Sequence, residues 1–192
     1  MNLLTLKEIQ TRLLKLYRVF DSNIPELNMR ASTLTDVELD ELGAMLSVRL
    51  PESFREVLLL YDFGELNVGN IWFGQMGDYI EFLKSFNGPD ASTPWWGQGI
   101  RPKDHILVAT TDGYIILLNT AYGSVVAYLR FEDWSANRRI ADTFELLVRG
   151  AGTVYFGHKA TDDQRALGEE VATLCGADMR SKFWQELAQG IT

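Results

Sequence analysis

His105, His158 and Cys175 are the only imidazoles and the only thiol in the 192 residues. A structural zinc site draws on about four nitrogen, sulfur or carboxylate ligands, usually nucleated by a CxxC or HxxxH pair. Neither spacing occurs, so no metal site and no cofactor is expected. Cys175 follows Leu167, Val171 and Leu174 at helical steps and reads as a small buried apolar residue, not a nucleophile. The carboxylate pairs Asp162-Asp163, Glu169-Glu170 and Glu132-Asp133 are adjacent. Neighbours on a helix point about 100° apart and do not converge on one substrate atom, so these pairs read as solvated faces. GxSxG, a Walker lysine loop and GxGxxG are all absent, and no catalytic residue is assigned. An enzyme would have to gather dispersed residues such as Asp78, His105 and Tyr114, and that reading stands as the alternative.

Binding chemistry is better represented. In "TPWWGQG" the adjacent indoles Trp95 and Trp96 lie between a proline and two glycines, inside a long stretch without hydrophobic period. Long ordered loops are often functional. An indole combines a large apolar surface with one N–H donor, which suits it equally to anchoring a loop and to forming an interface hot spot. Two neighbours cannot both turn inward, so one is expected to pack into the core while the other borders a groove.

The charge pattern narrows the partner. The net charge is −8, and residues 21–90 carry thirteen carboxylates against four cations. Duplex nucleic acid and anionic membranes both require a basic face, so neither is expected as partner, whereas a basic protein is favoured. A single cysteine fits a reducing compartment, and the leucines of the first twenty residues are interrupted by charges, unlike a signal peptide. No apolar run is long enough for a transmembrane helix. A cytoplasmic location is expected.

The elements that must position these residues follow from periodicity. Leu3, Leu6, Ile9, Leu13, Leu16 and Phe20 form one helical stripe, followed by a connector to residue 34. Thr35 and Glu38 have capping-box spacing for a helix to about Ser47. Pro51 suits the first position of the next helix, which Gly64 should end. A strand is expected at Gly69–Phe73 and a helix at Asp78–Phe86. "HILVATT", "YIILLNT" and "GSVVAYLRF", separated by Asp112-Gly113 and Ala121-Tyr122-Gly123, predict an antiparallel meander covered partly on both faces. A helix from Asp142 to Arg149 closed by Gly150, a strand at Thr153–Phe156, a helix opened by Thr161 with Gln164, and a terminal helix over Ala177–Gln189 complete the chain.

This order resembles the SUKH superfamily, which includes the yeast Smi/Knr cell-wall-synthesis regulators and many bacterial toxin-immunity proteins. The resemblance rests on "TLTDVELDELGAMLSVRLPESFREVLLLYDFGEL", on "ILVATTDGYIILLNTAYGSVVAYLRFED" and on "IADTFELLVRG", and covers about residues 33–150. Asp62-Phe63-Gly64 stands where the superfamily usually has Asn-Gly-Gly, and Thr111-Asp112-Gly113 where a Gly-Asp or Gly-Ser step is usual. Both departures keep turn-forming chemistry.

The resemblance implies an α+β core over 33–150, one largely antiparallel sheet packed with helices; the N-terminal helix and connector over 1–34 and the helical extension over 151–192 lie outside it, and the whole is expected to form a single domain. It also implies binding without catalysis, most simply an immunity protein that neutralises a toxin, with a regulatory scaffold as the alternative. In that reading Trp95 or Trp96 supplies the apolar anchor, and Asp62, Glu65 and Asp112 supply charge complementary to a basic toxin domain.

Overall fold

The structure is a computed structural model that describes residues 1–17, 29–64, 66–74, 77–91, 94–97, 99–158 and 163–190. Helix α1 (Leu6–Tyr17) buries the expected stripe through Leu6, Ile9 and Leu13, while Phe20 lies outside the described residues. Within the expected connector, β1 (Arg30–Ala31) pairs antiparallel with β2 (Tyr61–Asp62) in a short ribbon. Thr35 and Glu38 form the reciprocal capping box at the start of α2 (Asp36–Met45). Pro51 occupies the cap of α3 (Glu52–Leu60), one place before the position expected of it.

The main sheet is six-stranded and antiparallel. β3 (Asn67–Val68) and β4 (Ile71–Trp72) precede α4 (Tyr79–Asn87), which Asp78 caps by accepting from the Ile80 N–H. β5 (His105–Thr110), β6 (Tyr114–Asn119) and β7 (Val125–Leu129) form the meander, and β8 (Arg138–Ala141) closes the order β3-β4-β5-β6-β7-β8. Alternation along β6 sends Tyr114 toward the C-terminal helices and Ile115 toward the tryptophan loop, so both sheet faces are covered.

After the sheet the chain departs from expectation. Helix α5 runs unbroken from Phe144 to Gly157, so Gly150 does not end it and Thr153–Phe156 is helical, not a strand. Its glycines are notches for neighbouring side chains. A Cβ on Gly150 would lie 2.5 Å from Trp184 Cη2 and 2.7 Å from Cys175 Sγ, and one on Gly152 would lie 2.4 Å from Ile9 Cδ1. Close packing of α1 and the C-terminal helices on α5 thus outweighs the weak helix propensity of glycine.

Helix α6 (Gln164–Cys175) is capped by Asp163, which accepts from the Ala166 N–H; Thr161 lies outside the described residues. Helix α7 begins at Phe183, not Ala177, and ends at Gln189. The chain around residues 175–178 instead serves the open edge of β8. Cys175 C=O accepts from Asp142 N–H at 2.8 Å, and Asp178 N–H donates to Arg139 C=O at 2.9 Å. The buried Trp184 donates its indole N–H to Ile140 C=O at 2.7 Å. An edge strand left bare is a site for unwanted pairing, and here the extension covers it.

Candidate functional site: the tryptophan cleft

The site begins with one buried amide. Asn87, the last residue of α4, is 2% exposed and makes four hydrogen bonds. Its Nδ2 donates to Leu83 C=O and to Leu107 C=O, both at 2.9 Å. Its Oδ1 accepts from Leu107 N–H at 2.6 Å and from the Trp95 indole N–H at 3.0 Å. The side chain thereby satisfies both peptide groups of Leu107 on β5 and ties the following loop to the strand. Tyr128 adds a second tie, its hydroxyl donating to Trp95 C=O at 2.7 Å. Burial pushes the Tyr128 phenol up to about 12.

With Trp95 fixed on both its backbone and its ring, Trp96 is carried to the rim. The two indoles meet edge to face, 5.4 Å apart at 88°, and Trp96 donates only to Gly99 C=O, at 3.3 Å. Trp95 packs against the core, as does Trp134 from the opposite wall. Between them opens a cleft of about 370 Å³. Its floor is a cross-strand row, Thr110–Ile115–Tyr128, set by the registers of β5, β6 and β7. Phe86 of α4 closes one side, and Arg130, Glu132, Asp133 and Trp134 form the far wall.

The far wall is acidic. Asp133 caps the short 3-10 turn Trp134–Ala136 by accepting from the Ser135 N–H, and hydrogen bonds from Ser135 hold its carboxyl below the usual range. Glu132 is exposed and makes no ion pair among the described residues. Arg130, in the same wall, donates to Thr111 C=O at 3.0 Å. Phe131, between the lining residues Arg130 and Glu132, is 97% exposed. The His105 ring meets Trp134 at 5.6 Å in a tilted arrangement, 54° between the ring planes, and burial lowers the His105 pKa.

The residues read as binding from sequence are distributed unevenly. Trp95 and Trp96 line the cleft. Asp112 is exposed in the β5–β6 turn, between floor residues Thr110 and Ile115. Asp62 is elsewhere: it pairs with Arg30 at 2.9 Å and accepts from Gly64 N–H, and it does not line the cleft. Glu65 lies outside the described residues. The alternative catalytic set is not assembled. Asp78 caps α4, His105 Nε2 lies 3.3 Å from the Asn119 amide, and Tyr114 donates its hydroxyl to Glu186 at 2.5 Å. Cys175 is buried with its thiol pushed up to about 12 by desolvation.

Sequence reasoning missed Asn87, Tyr128 and the 132–134 wall. Glu132 and Asp133 are solvated, as their adjacency implies, and the tryptophan directly after the two acids is the signal that they border a cleft. Among the described residues no three His, Cys, Asp or Glu side chains gather as a metal site would need, and no helix is long and apolar enough to cross a membrane.

A six-stranded antiparallel sheet backed by helices, with a structured loop cleft on one face, defines an α+β protein. The family model described as "SMI1 / KNR4 family (SUKH-1)" matches residues 33–150, and the chain belongs to that family. The match ends at Gly150, inside α5, so the packing notches join the matched core to the extension that covers β8. No curated protein sequence matches the chain.

Proposed function

We propose that this protein is a non-catalytic interaction module of the immunity type, which binds and neutralises a basic toxin domain by occupying its active surface. The observation that supports this reading most is the fixing of Trp95 by Asn87 and Tyr128, which holds Trp96 at the rim before any partner arrives. A preorganised aromatic anchor loses little freedom on binding, so its contact area converts efficiently into affinity. Glu132 and Asp133, with Asp112 in the adjoining turn, surround it with negative charge that favours a basic partner and speeds encounter. Asp62 contributes little to this field, because Arg30 neutralises it.

The experiment is co-purification from the native host with the wild-type chain and with Trp96→Ala. The reading expects a basic protein retained by the wild type, released by raised salt and lost with the variant. Retention that ignores both salt and Trp96 contradicts it.

A further inference from the structure

The tryptophan cleft contains a polar group that the fold itself leaves unused. Thr110, on the floor, is 5% exposed, and its hydroxyl has no hydrogen-bond partner. Buried polar groups are nearly always bonded, so an unsatisfied hydroxyl in the wall of a cavity points to an occupant that supplies the missing partner.

The remaining walls specify the occupant. Trp95 and Trp96 meet edge to face, which leaves at least one indole face uncovered by the other. Trp134 stands across the cleft, and the lining carboxylates Glu132 and Asp133 exceed the single cation Arg130, whose guanidinium is tied to Thr111 C=O. Asp133 stays ionised because the Ser135 bonds stabilise its carboxylate. Aromatic faces, two carboxylates without an ion pair among the described residues and an unpaired hydroxyl together form an acceptor-rich, electron-rich slot. A compact ammonium meets these groups one at a time. A guanidinium is planar, weakly hydrated, stacks on aromatic faces and carries five N–H donors in a fixed fork.

Building on the proposed binding role of this cleft, we infer that it is an arginine socket: it receives one arginine side chain of the partner, the guanidinium stacking on an indole and donating to Glu132, Asp133 and Thr110. Phe86 and Ile115 flank the aliphatic stem. Exposed Phe131, between the lining residues Arg130 and Glu132, meets apolar surface beside that arginine.

The test uses the full chain and small probes, so it does not depend on having the partner. N-acetyl-arginine amide is titrated while the five indole N–H signals are followed by NMR, with N-acetyl-citrulline amide as the neutral isostere and N-acetyl-lysine amide as the alternative cation. The socket predicts saturable shifts of the Trp96 and Trp134 signals with the arginine probe, little response to citrulline, and a weaker one to lysine. Glu132→Gln should weaken the arginine response by about two- to fivefold, the range of an exposed ion pair, with the remaining spectrum unchanged. Absence of a saturable shift, an equal response to citrulline, or tighter binding of the lysine probe overturns the assignment. Any of those results alongside salt-sensitive, Trp96-dependent capture of a protein leaves the binding role standing and removes only the socket.

Discussion

The indole N–H of Trp95 donates to Oδ1 of Asn87 at 3.0 Å, and this one bond couples the end of α4 to the loop that displays Trp96. The same oxygen also accepts from Leu107 on β5, so the loop is referenced to the sheet and not merely laid over it. Rigidity at the rim therefore originates in a residue with almost no exposure of its own.

Asn87→Ala should be severely destabilising. It strips both peptide groups of Leu107, the Leu83 carbonyl and the Trp95 indole of a partner at once, and each buried polar group left unsatisfied costs about 1–3 kcal/mol. Urea unfolding should show a loss of at least about 3 kcal/mol. A loss below about 1 kcal/mol would mean that water or relaxation replaces these bonds, and that the loop does not depend on them.

The two indoles should separate stability from binding. Trp95→Ala removes a core contact and the Asn87 bond and should cost about 2 kcal/mol, whereas Trp96→Ala should stay within about 0.5 kcal/mol of wild type. Urea midpoints measure both. Equal losses would contradict the division of roles.

Gly152 and Ile9 should be strongly coupled. Gly152→Ala improves helix propensity by about 1 kcal/mol, yet its methyl would meet the fully buried Ile9 side chain at 2.4 Å. The single substitution should destabilise by about 1 kcal/mol net. In an Ile9→Ala background the same methyl enters vacated space and should stabilise, giving a coupling near 2 kcal/mol in a double-mutant cycle. Additive effects would show that α1 moves aside freely.

Alkaline pH should destabilise the fold through buried protonated groups. Burial raises Cys175 from 9.0 to about 12 and Tyr128 from 10.0 to about 12. As pH rises the unfolded chain loses these protons first, so the folded state binds more protons and stability falls with pH. The contribution is intact below about pH 9 and is lost progressively toward pH 12. Urea midpoints across that window should decline, and Tyr128→Phe should reduce the slope above pH 10. In the folded protein Cys175 should resist iodoacetamide at about pH 8, because its thiolate is scarce.

The extension should unfold together with the core. Trp184 is fully buried and bonded to Ile140 of β8, and α5 runs without interruption through the end of the family match. Trp184→Ala should cost about 3–5 kcal/mol and keep tryptophan fluorescence and far-UV circular dichroism transitions coincident. A separate early transition for the extension would divide the chain into two cooperative units.

Much of this architecture could be read from residue order because local chemistry and tertiary demand agreed. Branched runs around Asp112-Gly113 specify a hairpin whatever surrounds them, and Thr35 with Glu38 specifies a helix start without reference to distant residues. Reading failed where one residue type serves two ends. Gly150 and Gly152 look like breaks locally but are required as notches by Trp184 and Ile9, which are remote in sequence. β8 opens with Arg138 and Arg139, both exposed, so its pattern resembles a loop, and its edge partner comes from residues beyond 174. The cleft was half legible for the same reason. Adjacent tryptophans announce themselves, whereas the opposing wall at 132–134 joins them only through strand register.

The central claim, a preformed tryptophan cleft that binds a basic protein, is tested most directly by titrating the co-purified partner calorimetrically against wild type and Trp96→Ala at about 50 and about 300 mM salt. The account predicts affinity that falls with salt, and a loss of at least about thirtyfold, or 2 kcal/mol, on removing the Trp96 ring. Affinity that is unchanged by the substitution and indifferent to salt would contradict it.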